Sequence, residues 1–84
     1  MEETPRITFY GTAWCGASRR VRLLLDSHSI PYDYIDIDLD REAAKRLEEI
    51  NHGFRSVPTL VWPDGTTLVE PSNARLAEKL GIKA

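Results

Sequence analysis

The spacing of apolar and polar positions changes along the chain, and each spacing predicts a different element. Residues 6–10 are rich in β-branched and aromatic side chains, which is typical of a strand. From Cys15 onward, apolar positions recur at helical spacing and predict a helix with one buried stripe. The members of that stripe are Val21, Leu24, Leu25 and His28. The helix should end before Pro31, because the residue before a proline avoids helical dihedral angles.

The middle of the chain alternates first and then returns to helical spacing. Residues 32–39 alternate between apolar and polar side chains, which predicts a second strand with one wetter face. Its inward face carries Ile35, Ile37 and Leu39, and its wetter face carries Tyr34, Asp36 and Asp38. Asp40 is a suitable N-cap for a second helix over residues 41–50. The inward stripe of that helix consists of Ala43, Ala44, Leu47 and Ile50.

The last third of the chain predicts a hairpin followed by a helix. Residues 59–62 form a third strand, residues 63–66 a turn, and residues 67–69 a short fourth strand. Ser72 or Asn73 caps a last helix that ends near Leu80 and Gly81. Residues 1–5 form a polar lead-in. The chain is therefore predicted to be one α/β domain over residues 1–84, ordered β-α-β-α-β-β-α, with helices flanking a four-stranded mixed sheet.

The net charge, the cysteine count and the lack of long apolar runs exclude several classes of protein. Eleven Lys and Arg against 13 Asp and Glu give a net charge of −2, which lacks the basic footprint of a nucleic-acid binder. The single cysteine excludes an internal disulfide framework and a zinc site built from several cysteines. No apolar run approaches the roughly 20 residues of a membrane helix. The acidic start is unlike a signal peptide, so we expect a cytoplasmic protein without nucleic-acid or membrane partners.

Cys15 is the residue with the clearest candidate chemistry. It lies between a predicted strand and helix, where unpaired backbone N–H groups and roughly half a positive charge of the helix dipole favour a thiolate. Ser18 and Arg19 follow at three and four residues, on the same helical face. Arg20 and Arg22 are interpreted as solvated. The alternative is that Cys15 is an unreactive buried thiol, which is common for free cysteine.

The motifs around Cys15 resemble the glutaredoxins, which have the thioredoxin fold. The resemblance rests on residues 12–18 (Thr-Ala-Trp-Cys-Gly-Ala-Ser), residues 34–38 (Tyr-Ile-Asp-Ile-Asp) and residues 56–59 (Ser-Val-Pro-Thr). It extends from about residue 7 to residue 80. Residues 53–58 (Gly-Phe-Arg-Ser-Val-Pro) and the Pro-Asp-Gly hairpin are most similar to the mycoredoxin-like branch.

The resemblance implies a role for each matching residue. Cys15 would be the nucleophile that attacks a disulfide, and Pro58 the cis-proline beside it. The main chain of Val57 would pair with a bound thiol as a short antiparallel strand. Arg55 would face a carboxylate of the thiol or the partner, and Trp14 would form part of the rim.

Two departures from the family pattern bear on mechanism. Ser18 stands where the second cysteine of Cys-x-x-Cys is usual, so the site would use a monothiol route. Alternatively, Ser18 is an engineered replacement that traps a mixed disulfide. Residues 70–74 (Glu-Pro-Ser-Asn-Ala) replace the Gly-Gly-x-Asp-Asp stretch that holds the ammonium group of glutathione in many relatives. Ser72 and Asn73 could still bind a carboxylate through the helix N-terminus, so mycothiol and bacillithiol join glutathione as candidates.

Three functions remain open from the sequence. The first is a thiol-disulfide oxidoreductase that removes a low-molecular-weight thiol from protein mixed disulfides, with no bound cofactor or metal. Its partners would be the small thiol, thiolated proteins and a reductase, and we expect it to be a monomer. The second is a carrier of a [2Fe–2S] cluster, as in monothiol glutaredoxins with Cys-Gly-Phe-Ser, although Ala17 replaces the Phe. The third is a non-catalytic adaptor with the same fold.

Overall fold

The structure, a computed structural model, describes residues 6–83 and has the element order that the sequence predicts. Its strands are β1 (Ile7–Gly11), β2 (Tyr32–Asp36), β3 (Thr59–Val61) and β4 (Thr67–Val69). Its helices are α1 (Gly16–Ser27), α2 (Arg41–Ile50) and α3 (Asn73–Leu80). The predicted lead-in at residues 1–5 lies outside the described residues. Between residues 6 and 83, none of the helices has the length and apolar character needed to cross a membrane.

The four strands form one mixed sheet in the order β2-β1-β3-β4. β1 and β2 are parallel, with Gly11 opposite Asp36, whereas β3 runs antiparallel to both β1 and β4. The C-terminal ends of β1 and β2 therefore meet the N-terminal end of β3 at one edge of the sheet. The loop before α1, the turn after β2 and the segment before β3 all lie at this edge.

Helices cover both faces of the sheet, and the alternation along β1 explains why. Phe9 points into a core shared with α1 and α3, whereas Tyr10 points into a second core shared with α2. The first core contains Ile7, Phe9, Val21, Leu25, Leu60 and Leu76. The second contains Tyr10, Ile37, Ala43, Ala44 and Leu47. Because both faces of β1 are covered, the loop that follows it is held between two packed layers.

The predicted second strand is too long, and its third inward residue is misplaced. β2 ends at Asp36, and residues 37–39 form a turn instead of continuing the strand. The Asp36 carboxylate accepts a hydrogen bond from the Asp38 N–H at 2.9 Å, and the Asp36 carbonyl accepts one from the Leu39 N–H at 3.1 Å. These local bonds bend the chain away from the sheet. Leu39 is consequently 86% exposed and not part of the core.

Smaller corrections apply to the first strand, the first helix and the third strand. β1 begins at Ile7 and includes Gly11, whose carbonyl accepts a hydrogen bond from the Ile37 N–H. His28 is exposed and not part of the buried stripe, because α1 ends at Ser27 and His28 is its C-cap. β3 ends one residue earlier than predicted, at Val61. The predicted caps of the other helices are confirmed: Asp40 caps α2, and Ser72 caps α3.

Candidate active site

Cys15 lies between β1 and α1, as the sequence predicts, and is the N-cap residue of α1. Its backbone is extended, its carbonyl accepts the first helical hydrogen bond from the Arg19 N–H, and its sulfur accepts one from the Ser18 N–H at 3.4 Å. The sulfur thus occupies the position of a capping oxygen and satisfies a backbone donor that would otherwise be free. A thiolate in this position gains both a hydrogen bond and the favourable end of the helix dipole.

The environment of Cys15 lowers the pKa of its thiol. Burial on its own raises this pKa, but the Ser18 hydroxyl and the backbone N–H groups of Ser18 and Ala17 outweigh that effect. The negative charge of Glu70 opposes them and raises the pKa. The Ser18 backbone contact is the firmer of the two Ser18 contacts, because the hydroxyl meets no partner with hydrogen-bond geometry in residues 6–83. These contacts together favour the thiolate form of Cys15.

Two buried hydroxyl groups lie three residues before and three residues after the cysteine. Thr12 and Ser18 are 2% and 1% exposed, and neither hydroxyl has a hydrogen-bond partner within the described part of the chain. The Ser18 hydroxyl faces the Cα of Gly11, which leaves just enough room for it. A buried hydroxyl without a hydrogen-bond partner costs free energy, and a partner that forms in another state of the site would remove this cost. The Ser18 hydroxyl is consequently available to a negatively charged sulfur.

The segment before β3 forms the opposite wall of the site. The Cys15 sulfur lies 3.9 Å from the Val57 carbonyl oxygen, and the peptide bond between Val57 and Pro58 is cis, as the resemblance implies. The Thr59 hydroxyl donates a hydrogen bond to the Ser56 carbonyl at 2.7 Å, and the Glu70 N–H donates one to the Pro58 carbonyl at 2.7 Å. These contacts fix the Val57 main chain next to the sulfur.

Trp14 lies beside Cys15 at the surface. Its side chain is 70% exposed, and its indole N–H donates a hydrogen bond to the Asp38 carboxylate at 2.7 Å. Asp38 belongs to the turn after β2, at the same edge of the sheet. The predicted position of Trp14 on the rim agrees with its exposure and with its place in the sequence next to the cysteine.

The arginines of the site differ from the sequence prediction in several respects. Arg55 is exposed, but its Nε atom forms an ion pair with Glu48 of α2. Arg19 is exposed in the first turn of α1. The interpretation of Arg20 as solvated is wrong, whereas Arg22 is exposed, as interpreted. Arg20 donates hydrogen bonds to Asn73 and Pro71, and the Arg22 guanidinium lies 4.2 Å from the centre of the Tyr34 ring.

The N-terminus of α3 is held against α1 by these contacts. The Ser72 hydroxyl accepts a hydrogen bond from the Arg75 N–H at 3.1 Å, which makes Ser72 the N-cap. The Asn73 side-chain oxygen accepts one from Arg20 at 2.6 Å, and the Pro71 carbonyl accepts another at 3.1 Å. Both predicted side chains thus have structural partners in the folded chain.

Three residues of the site escape the sequence reasoning. Glu70 lies opposite Pro58, and the hairpin register, which pairs Thr59 with Val69, is the signal that would have placed it there. Asp38 and Arg20 offer no such signal, because each contacts a residue far away in the sequence.

The assembled site offers one activated sulfur beside a fixed stretch of main chain. Cys15 is the only cysteine of the sequence, so the site cannot close an intramolecular disulfide. It can still exchange with a disulfide brought by a substrate. Among residues 6–83, no group of three or more His, Cys, Asp and Glu side chains is placed to hold a metal ion.

Comparisons with known proteins agree with this geometry. The glutaredoxin family model matches residues 7–66. A Mycobacterium tuberculosis protein named as a candidate glutaredoxin is 40% identical over 77 residues, which cover 92% of each chain. Mycoredoxin 1 of Corynebacterium glutamicum is 38% identical over 74 residues, covering 88% of this chain and 91% of the relative. A mutant of the thioredoxin-like protein BC3987 superposes with a TM-score of 0.82 at 25% identity, covering 95% of this chain and all of that one.

Proposed function

The chain belongs to the glutaredoxin family of thiol-disulfide oxidoreductases, and we propose that it reduces mixed disulfides between proteins and a low-molecular-weight thiol by a monothiol mechanism. The observation that carries the proposal is the placement of its one cysteine. The Cys15 sulfur caps α1 and accepts the Ser18 N–H, and a serine follows three residues later. Such a site has an activated nucleophile and no second thiol to resolve the product.

The reaction proceeds in two exchanges. The Cys15 thiolate attacks the small-thiol sulfur of the mixed disulfide, forming a disulfide between Cys15 and the small thiol. The protein sulfur leaves as a thiolate and takes up a proton. A second small-thiol molecule, as its thiolate, then attacks the small-thiol sulfur on Cys15 and releases the Cys15 thiolate. The net result is one reduced protein thiol and one disulfide of two small-thiol molecules, which a reductase would return to the thiol form.

The residues around Cys15 fit the two partners of this exchange. The Val57 main chain, whose carbonyl oxygen lies 3.9 Å from the sulfur, is suited to pairing with the bound small thiol as a short antiparallel strand. Trp14 precedes Cys15 in the chain and is exposed, and Arg19 adds positive charge at the start of α1. We propose that the N-terminus of α3, at Ser72 and Asn73, accepts a carboxylate or hydroxyl of the small thiol through its backbone N–H groups.

Arg55 takes a different part in the proposal. It is paired with Glu48, so it would have to exchange this partner for a carboxylate of the substrate. The pair is exposed, and exposed ion pairs contribute little free energy, so such an exchange is inexpensive.

Mycothiol is the first candidate for the small thiol, with bacillithiol and glutathione as the others. One relative, at 38% identity, is named mycoredoxin 1. Residues 70–74 also lack two adjacent carboxylates that would hold the ammonium group of glutathione, since Glu70 is the one acidic residue among them. We therefore expect the fastest reaction with mycothiol disulfide.

Intact mass spectrometry after brief exposure to each small-thiol disulfide tests the proposal. We expect the reduced chain to gain one small-thiol adduct at neutral pH, and Cys15→Ala to gain none. The adduct should persist until free thiol is added. Ser18→Cys serves as the matched variant, because a second thiol at this position should expel the adduct and leave an internal disulfide. An unreactive Cys15, alkylated only at the rate of an ordinary thiol, would overturn the proposal.

A further inference from the structure

Trp14 combines high exposure with a fixed orientation. Its ring is 70% exposed, yet its N–H is bonded to Asp38 at 2.7 Å. The backbone that carries the Asp38 carboxylate is held in place, because the Asp38 N–H donates to the Asp36 carboxylate at 2.9 Å and the preceding Ile37 N–H donates to the Gly11 carbonyl at 3.1 Å. The acceptor is thus attached to the end of β1, the strand that leads into the cysteine loop.

We infer that Asp38 is a positioning residue that holds the Trp14 ring as a fixed wall beside Cys15, against which the protein carrying the mixed disulfide packs. The inference rests on the proposed function. An exposed aromatic side chain has no packing of its own to fix its torsion angles, so a charge-assisted hydrogen bond at its tip is what limits its motion. A ring fixed before binding does not lose this freedom when the partner arrives.

The same contact keeps the apolar face of the ring available. With its N–H directed to Asp38, the indole has satisfied its one polar group and offers the partner an apolar surface. Leu39, next to Asp38 in the turn, is a second exposed apolar side chain in this region, at 86%. Large, rigid side chains of this kind contribute most of the binding free energy at protein interfaces.

We expect Asp38 to affect the orientation of the Trp14 ring and not the reactivity of the Cys15 sulfur. The main influences on the pKa of Cys15 are its own burial, Ser18, Ala17 and Glu70, and Asp38 contacts Trp14 instead. Loss of Asp38 should therefore leave the reaction of Cys15 with a small alkylating agent unchanged. The KM for a protein mixed disulfide should rise, because the partner must then immobilise a freely rotating ring. Immobilising one such side chain corresponds to a rise of about threefold to tenfold.

A double-mutant cycle tests the inference. Asp38→Ala removes the acceptor, Trp14→Phe removes the donor but keeps a ring, and Asp38→Asn keeps an acceptor oxygen without the charge. We expect KM for a thiolated protein to rise in Asp38→Ala with kcat nearly unchanged, and to recover in part in Asp38→Asn. In the Trp14→Phe background, Asp38→Ala should have no further effect. Iodoacetamide rates should be equal in all variants.

Fluorescence anisotropy of Trp14 gives a readout that does not depend on activity. In a Trp62→Phe background, Trp14 is the only tryptophan, and Asp38→Ala should lower its steady-state anisotropy. Unchanged anisotropy or unchanged KM in Asp38→Ala would overturn the inference, as would equal effects of this substitution with and without Trp14. If the wild-type chain does not reduce the thiolated protein, the proposed function fails, while the anisotropy still decides whether Asp38 fixes the ring.

Discussion

Gly11→Ala should destabilise the protein, although alanine is ordinarily compatible with the end of a strand. Gly11 is buried where β1 enters the cysteine loop, and its backbone does not need a positive φ angle. A methyl group at this position would lie 3.0 Å from a carbon of the Phe9 ring, from the Ser18 hydroxyl and from a carbon of the Tyr34 ring. Phe9 and Ser18 are buried in the core, so they cannot move aside cheaply.

The size of the effect follows from two opposing contributions. Inserting a methyl group into a packed region costs about 1–3 kcal/mol. Replacing glycine also restricts the conformations of the unfolded chain, which stabilises the folded state by about 0.4–1 kcal/mol. The difference between these ranges runs from about 0 to about 2.6 kcal/mol, so we expect a net loss of about 1.3 kcal/mol, its midpoint, in the free energy of unfolding. For a domain of this size, each kcal/mol corresponds to about 4–8 °C in Tm.

Gly16→Ala is the matched control. Gly16 is the first residue of α1, and a methyl group there meets nothing within 4 Å. Alanine should leave stability unchanged or raise it by up to about 1 kcal/mol, because it favours the helix and restricts the unfolded chain. Urea unfolding of both variants measures the midpoint at a constant m-value. Equal midpoints for Gly11→Ala and Gly16→Ala would refute the packing argument.

Three further results are expected. The rate of Cys15 alkylation should reach half its maximum below the ordinary thiol pKa, and Glu70→Gln should move that midpoint lower still, because a negative charge that raises the pKa of Cys15 is removed. Since the pKa of Cys15 is lower in the folded than in the unfolded chain, the free energy of unfolding should rise as pH increases from the folded to the unfolded pKa, and this stabilisation is lost as pH falls through the folded pKa. Urea unfolding at a series of pH values measures the dependence, and Cys15→Ser should abolish it. Leu60→Ala, at a fully buried position of β3, should cost about 2–5 kcal/mol in the same assay, and a loss below 1 kcal/mol would contradict the assigned core.

Elements built from local signals agree closely with the sequence prediction. α2 begins and ends where the pattern predicts, because Asp40 caps its first turn and residues 51–53 cannot continue it. The β3–β4 hairpin forms around Gly65, which adopts the positive φ angle that its turn requires. Cys15 at the start of α1 belongs to the same group, since a strand, a short loop and a helix lie in direct succession.

Contacts between distant parts of the chain could not be predicted in this way. The bond from Trp14 to Asp38 joins residues that are 24 positions apart, and the bond from Arg20 to Asn73 joins residues 53 apart. The end of β2 is a similar case, because an alternating pattern continues to Leu39 while the Asp36 side chain turns the chain away from the sheet. Periodicity describes which face a residue occupies, but it contains no information about which distant group lies opposite.

The sequence by itself determined the order of the elements and the place of Cys15 at the start of α1, because both depend on neighbours within a few residues, and its composition determined the lack of a second thiol. The tertiary structure alone decided the distance of 3.9 Å from the sulfur to the Val57 carbonyl oxygen, the approach of Glu70, which raises the pKa of Cys15, and the bond from Trp14 to Asp38. These contacts arise where the ends of β1, β2 and β3 meet at one edge of the sheet. Packing of the chain brings residues from separate elements to that edge. These contacts could therefore not be predicted from neighbours in the sequence.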